Sequence, residues 1–511
     1  MSAAHKLIEK LNPATGEKIA DYEISTREEV EAAVAAAKEA APRWAALSVE
    51  ERIHRLGRIR DICIEEQDAL SRRLSLDTGK PYAEAVMTEI SAIPLFLDHY
   101  KKEAPKVLGR HKVKTSVLFP GMDSYITYFP MGVVAVISPW NFPFRLAMVP
   151  TLSALIAGNT VVLKPSEVTP ETGEMMRELF ERANLGRGVV TVLQGDGSTG
   201  AALSEAPVDK IFFTGSVSTG RKVMAAAAKR PIPVELELGG KDAVIICHDA
   251  DLDRAARAVA WGGLTNCGQM CTSVERIIVI DSVHDAFVNK LEAAVKEVRV
   301  GAPDEHADMG PMTFPAQIDT VERHVDQARD MGAKVLQGGA KIDRPGQWYA
   351  PTLLTGITPQ MDIWKEETFG PVLPVIRVRD EDEAIRLCNE HQYGLSGAVW
   401  TEDVQRGLDI ATRIEAGSMM VNNVIQITGN PALPFGGVKN SGIGRYHGSE
   451  GLLTFVHTRA IMVDRGWFKR DPYWFPYGDK YSLFLSAFKA LFRGNLPKAF
   501  LDITRLRRLT K

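Results

Sequence analysis

At 511 residues the chain exceeds what a single hydrophobic core needs, and two to three domains are expected. With 61 Lys/Arg against 64 Asp/Glu the formal charge is −3, which excludes an overall basic, nucleic-acid-binding balance. Cys63, Cys247, Cys267, Cys271 and Cys388 include no CxxC pair, which argues against a disulfide framework and for a reducing compartment.

The first ten residues lack an apolar signal core, and no apolar run approaches the roughly 20 residues of a membrane span, so a cytoplasmic protein is expected. Thr26, ahead of Glu28 and Glu29, reads as a helix cap, and Val30, Val34 and Ala37 recur at helical spacing, which makes residues 26–73 a helical layer. Ser124 to Pro130 alternates polar and apolar as a strand does. The runs 133–137, 160–163, 189–193 and 210–213 are short and β-branched, and helical stretches at 171–183 and 200–206 separate them. That order predicts a doubly wound parallel sheet. A second series, at 243–246, 276–280, 334–336, 372–376 and 397–400, predicts a second α/β domain.

Three segments carry chemistry. In Gly263-Leu-Thr-Asn-Cys-Gly-Gln-Met-Cys271, Gly268 allows a tight turn that exposes a sulfur able to act as a thiolate nucleophile. Cys267, four residues earlier, could share a helix face with Cys271 and line the site. Glu237, in Leu236-Glu-Leu-Gly-Gly-Lys241, is a carboxylate just before a loop, where it could move and act as a general base. Asn141, in Ser138-Pro-Trp-Asn-Phe-Pro143, is a neutral donor suited to an oxyanion. By residue type alone, Cys271 reads as a small core residue and Glu237 as a surface charge. Phe213-Thr-Gly-Ser-Val-Ser-Thr-Gly220 joins a strand to a helix at Arg221–Lys229, a turn that can approach a pyrophosphate. Neither the cysteines nor the histidines fall at zinc-ligand spacing, and no metal is expected.

Together the segments around Glu237, Cys271, Asn141, Lys164-Pro-Ser-Glu167, Glu367-Thr-Phe-Gly-Pro371 and Pro434-Phe-Gly-Gly-Val-Lys-Asn-Ser-Gly442 resemble the NAD(P)-dependent aldehyde dehydrogenase superfamily, from residue 10 to about 463. The resemblance implies a Rossmann-type cofactor domain (1–111 and 131–240), an α/β catalytic domain (241–451) and a small β oligomerisation flap (112–130 and 452–463). It implies a homodimer or homotetramer acting on a small-molecule aldehyde. Cofactor contacts are implied for Ile137, Ser138, Trp140, Lys164, Ser166, Glu167, Gly197, Phe213, Thr214, Gly215, Ser216, Thr219, Leu238, Glu367 and Phe369. Glu167 favours NAD by repelling a 2′-phosphate, while Lys164 leaves NADP open. Cys271 is implied as nucleophile, Asn141 with the Cys271 N–H as oxyanion site, and Glu237 as the base that hydrolyses a thioester, in a non-acylating enzyme. Phe142, Leu146, Thr265, Met270 and Ile427 are expected along a mostly apolar substrate tunnel.

Residues 464–511 depart from this pattern. They hold 11 of the chain's 38 aromatic residues and 11 Lys/Arg against four Asp, a net +7 that leaves −10 for the rest. Polar positions 482, 486, 489 and 493 form one stripe of a helix, with Phe484, Phe488, Leu491 and Phe492 on the apolar remainder. This tail could lie peripherally on the inner face of a membrane, with Arg505, Arg507 and Arg508 near anionic headgroups, or pack on protein. Its hydrophobic helix is similar to that of the fatty (long-chain) aldehyde dehydrogenases, which points to medium- or long-chain aliphatic aldehydes. An aromatic aldehyde, or a non-catalytic membrane-associated scaffold of the same fold, is the alternative.

Overall fold

Thr26 caps the first long helix, Arg27–Ala45, through a reciprocal box: Glu29 N–H donates to the Thr26 hydroxyl, and Thr26 N–H to the Glu29 carboxylate. The buried face of that helix, including Val30, Val34 and Ala37, covers one sheet, and Thr160 Oγ1 donates to the Ala37 carbonyl at 3.0 Å. In this computed structural model the described residues are 6–119, 121–467, 470–471, 473–478 and 480–506. They divide into two compact units: residues 1–107 with 130–455, and residues 108–129 with 456–511.

The first unit holds two principal sheets. One is six-stranded, in the order Gly442–Ile443, Val234–Glu237, Lys210–Thr214, Val133–Ile137, Thr160–Lys164, Val190–Val192. All its pairings but the first are parallel. Val133–Ile137 and Thr160–Lys164 are buried throughout, as strands covered by helices on both faces must be. Strand order reverses between Val133–Ile137 and Lys210–Thr214, and a crevice forms beyond the carboxyl ends of such strands.

The other sheet is seven-stranded: Lys334–Gln337, Thr352–Thr355, Val372–Val378, Val274–Ile280, Asp242–Ile246, Ser396–Trp400, Ser418–Val421. The chain leaves the first sheet at Glu237 and enters this one at Asp242. It returns through the helix Leu252–Leu264 to Val274–Ile280, which pairs in parallel with Asp242–Ile246. That crossover brings the segment ahead of Val274 back beside the segment ahead of Asp242. Two strands here, Thr352–Thr355 and Ser418–Val421, and the hairpin Leu7–Leu11 with Lys18–Glu23 lie outside the predicted series.

The second unit contains a three-stranded sheet of His111–Val113, Met122–Pro130 and Val456–Asp464, and two helices, Lys480–Phe492 and Leu496–Leu506. Only the first of these helices is predicted from sequence. Gly494, at φ +75°, turns the chain into the second. Ser486, expected on an open polar stripe, instead donates to Asp502 at 2.7 Å across the helix pair. Arg507 and Arg508 lie outside the described residues.

Candidate active site

A cavity of about 300 Å³ opens in the first unit, at the strand-order reversal. Pro139, Trp140, Asn141 and Leu146 line it from beyond Val133–Ile137, and Thr214, Gly215 and Ser216 from the end of Lys210–Thr214. Glu237, Leu238, Gly239, Cys271, Gln317, Thr320, Glu367 and Phe369 complete it. Cys271, Glu237 and Asn141, separated by up to 130 positions, therefore share one wall of space. Gln317 and Thr320 were not anticipated; they lie on a helix, Pro315–Asp330, that carries no motif.

The other expected cofactor residues lie outside this cavity. Ile137, Ser138 and Phe213 are buried at the strand ends beneath it. Lys164 donates to Glu167 at 2.7 Å. Gly197 opens the helix Gly197–Glu205, capped by Asp196, and Thr219 N–H donates to Ser216 Oγ at 3.3 Å at the start of Val217–Ala228. Ser166 is buried just past Thr160–Lys164. Of the expected tunnel residues, Leu146 lines the cavity. Thr265 lines a second one, of about 440 Å³, with Trp261, Leu264, Met87 and Met309.

The nucleophile candidate follows a strained turn. Asn266, Cys267 and Gly268 all adopt left-handed backbone, at φ +52°, +55° and +69°. A shared helix face for Cys267 and Cys271 is therefore ruled out, because the helix stops at Leu264 and the turn reverses the chain. Cys267 is 1% exposed and does not line the cavity. At Gly268 a β-carbon would come within 2.0 Å of the Gly370 carbonyl, so only glycine fits. Asn266 tolerates αL because its side chain is used: Nδ2 donates to the carbonyls of Asn141 (2.8 Å) and Gln269 (3.0 Å). Gln269 Nε2 donates back to the Asn266 carbonyl at 2.8 Å, and Gln269 Oε1 accepts from Thr313 N–H at 2.9 Å.

Cys271 is partly buried, and the other four cysteines are buried. Burial raises its thiol above the ordinary range, the carboxylates of Asp242, Glu367 and Glu237 raise it further, and Arg145 opposes them. Glu237 ends the strand Val234–Glu237. Its carbonyl accepts from Gly215 N–H at 3.0 Å, while its carboxyl atom Oε1 is buried with no hydrogen-bond partner among the described residues. Burial, with Glu235 adding, lifts this carboxyl well above the usual range against the pull of Arg445. The glycines after Glu237 serve close approach: a β-carbon on Gly240 would lie 2.2 Å from the Cys271 carbonyl.

Glu367 accepts from Gly240 N–H at 3.0 Å, and burial beside Glu275 pushes it up to about 8. Phe369, at φ +51°, is held from behind: Glu275 accepts from Thr368 N–H and Phe369 N–H, each at 2.8 Å, and Lys241 Nζ donates to Glu275 at 2.5 Å. Phe369 meets Trp140 edge-on, with centroids 5.4 Å apart. Glu275 escaped sequence reasoning, although a charge within a β-branched buried run is the signal that could have flagged it.

A model of the Aldehyde dehydrogenase family matches residues 1–461. The chain belongs to that family. It is 40% identical to a 4,4′-diapolycopene aldehyde oxidase of Methylomonas sp over 92% of this chain and 88% of the relative. It is 38% identical, over 90% of this chain and 88% of the other, to a Mycobacterium ulcerans protein carrying the name of an NADP-dependent succinate-semialdehyde dehydrogenase. Among solved structures, the Mycobacterium tuberculosis aldehyde dehydrogenase complexed with NAD+ superposes with a TM-score of 0.87 at 34% identity, over 91% of this chain and 96% of that one. This aldehyde dehydrogenase thus shares both sequence and fold with enzymes of the family along most of its length.

Proposed function

We propose that the chain oxidises an aldehyde to the carboxylic acid with NAD, NADP being the second choice, and that Cys271, Asn141 and Glu237 do the work. The observation that carries this reading is their meeting in one cavity with Thr214, Ser216, Glu367 and Phe369. The residues fit a dinucleotide: helices Gly197–Glu205 and Val217–Ala228 both begin at the carboxyl edge of the first sheet, where the positive end of the helix dipole suits a pyrophosphate. When bound, the cofactor supplies the hydride acceptor. The Cys271 sulfur adds to the carbonyl carbon, and the Asn141 amide with the Cys271 N–H holds the oxygen that gains charge. After oxidation the acyl group is a thioester on Cys271. Glu237 then takes a proton from water as the water's oxygen attacks that carbon, and the C–S bond breaks to release acid and thiol. A base at this position supports the non-acylating type. Glu167 supports NAD, and its partner Lys164 moderates that preference.

The substrate is proposed to be a medium- or long-chain aliphatic aldehyde, which Leu146 in the cavity beside Cys271 supports. One relative is named for 4,4′-diapolycopene aldehyde and another for succinate semialdehyde, so the names alone do not choose. Access to such substrates is proposed to come through peripheral membrane contact by residues 464–511. Their helix pair buries Ala487, Ala490, Ala499, Ile503 and Leu506 and leaves Tyr481, Leu485, Phe492, Phe500 and Leu501 exposed, Phe492 by 81%. An exposed aromatic and aliphatic face of this kind suits a lipid interface, and the tail's net +7 favours anionic lipid over a second copy of itself. Among the described residues no helix is long and apolar enough to cross a membrane. The test is absorbance at 340 nm with NAD or NADP and aldehydes of graded chain length, plus benzaldehyde. Reduction rising with chain length is expected. Preference for benzaldehyde would favour the aromatic alternative, and no reduction despite cofactor binding would favour a scaffold.

A further inference from the structure

Lys80 and Glu89 form an ion pair inside the first unit, 2% and 0% exposed, that takes no part in the chemistry above. Charges removed from water persist only where the remaining donors and acceptors are also used. Besides its bond to Glu89, Lys80 Nζ donates to the backbone carbonyl of Asn141 at 2.6 Å and sits 4.0 Å from the centroid of the Phe142 ring. Glu89 Oε2 accepts from the N–H groups of Phe144 (2.9 Å) and Arg145 (3.2 Å). One ion pair thus grips the backbone at Asn141 and again three and four residues later. The Asn141 carbonyl receives a second donor, Asn266 Nδ2, from the turn that precedes Cys271, and Glu84 accepts the Asn266 N–H at 2.5 Å.

Glu84 and Glu89 come from consecutive short segments, Tyr82–Ala85 and the π-helical turn Val86–Ile90. A π-turn shifts the phase of the side chains that follow it, and such turns cluster at functional sites. Here it sets two carboxylates five residues apart on the same buried network.

We propose that Lys80, neutralised by Glu89, is the positioning residue of the oxyanion site: it fixes the Asn141 peptide, and through the shared carbonyl ties Asn141 to the Cys271 turn. This rests on the reading of Asn141 as oxyanion donor. A misplacement of such a donor by about an ångström lowers turnover roughly 100-fold, without altering how the cofactor binds.

The experiment is a double-mutant cycle on the full-length enzyme. Lys80→Met with Glu89→Gln removes both charges, keeps an acceptor for Phe144 and Arg145, and deletes the bond to the Asn141 carbonyl. The expected result is a kcat about 10- to 100-fold lower, with the NAD Kd and the aldehyde KM within about twofold of the parent. In an Asn141→Ala background the same pair of changes should add less than about twofold, because its effect passes through Asn141. Losses that multiply in full across the two backgrounds would overturn the proposal and make the pair purely structural, as would an unchanged kcat. An Asn141→Ala enzyme of unaltered rate would overturn the oxyanion reading and this proposal with it. If the neutral pair lowers the yield of folded enzyme, Lys80→Arg, which retains the charge but not the reach, is read in the same cycle. It should lose kcat only where Asn141 is present, and an equal loss in both backgrounds would again overturn the proposal.

Discussion

Cys271, Glu237 and Glu367 meet in one cavity, and burial lifts all three above their ordinary ranges. Acids so shifted ionise only towards alkaline pH, so thiolate-dependent activity should rise with pH while stability does the reverse. A carboxyl whose folded pKa exceeds its unfolded value holds its proton more tightly when folded. Its favourable contribution is complete below the unfolded value, and for Glu367 it is lost between about 4.5 and about 8. The Tm of Glu367→Gln relative to the parent should therefore climb across that window and level off above it. A difference in Tm that does not change with pH would remove the shift. At this scale the three motif residues were legible as a set through the segments that carry the family resemblance, since residue type alone reads Cys271 as a core residue and Glu237 as a surface charge. Lys80, Glu89 and Glu275 were not, because nothing in a sequence links Lys80 to a carbonyl 61 positions away. Charged residues without a motif read as surface until burial shows otherwise.

Among elements, the buried strands were legible from their β-branched runs, and the helix at Arg27 from its cap. Thr352–Thr355 and Ser418–Val421 were missed because their central pairs, Leu353-Leu354 and Met419-Met420, contain no β-branched residue. The helix Leu496–Leu506 was missed because Gly494 and Pro497 read as breakers, although proline belongs in the first turn of a helix. The tight turn at Gly268 was legible from its glycine, whereas the Cys267–Cys271 spacing suggested a shared helix face that the left-handed backbone of Asn266–Gly268 forbids, a conflict that falls beside the nucleophile. Gly268→Ala should lower stability by roughly 2–4 kcal/mol, since it combines a left-handed backbone with a backbone clash. Thermal unfolding monitored by circular dichroism checks this, and a Tm within a degree of the parent would show that the turn relaxes freely.

For the whole molecule, the two sheets explain why the chemistry gathers where it does. The first offers the carboxyl ends of its strands, and the second the segments that lead into Asp242 and Val274. The tail is a separate matter: its composition was legible as basic and aromatic, but which apolar side chains pack inside and which stay exposed was not, because alanine and phenylalanine both count as apolar in a helical pattern. Removing residues 464–511 should abolish co-sedimentation with vesicles containing anionic lipid, or flatten the chain-length profile, while acetaldehyde turnover stays within about twofold of the full chain. Unchanged sedimentation and profile would refute the lipid reading, and a change in oligomer size alone would assign the tail to a second copy.

The most direct measurement of the central claim is a single-turnover experiment on Glu237→Gln, following cofactor reduction at 340 nm and the intact mass of the protein together. The account predicts a burst of about one reduced cofactor per active site, slow turnover afterwards, and an acyl adduct on the peptide that contains Cys271. A steady rate equal to that of the parent, or an adduct on any other residue, would contradict it.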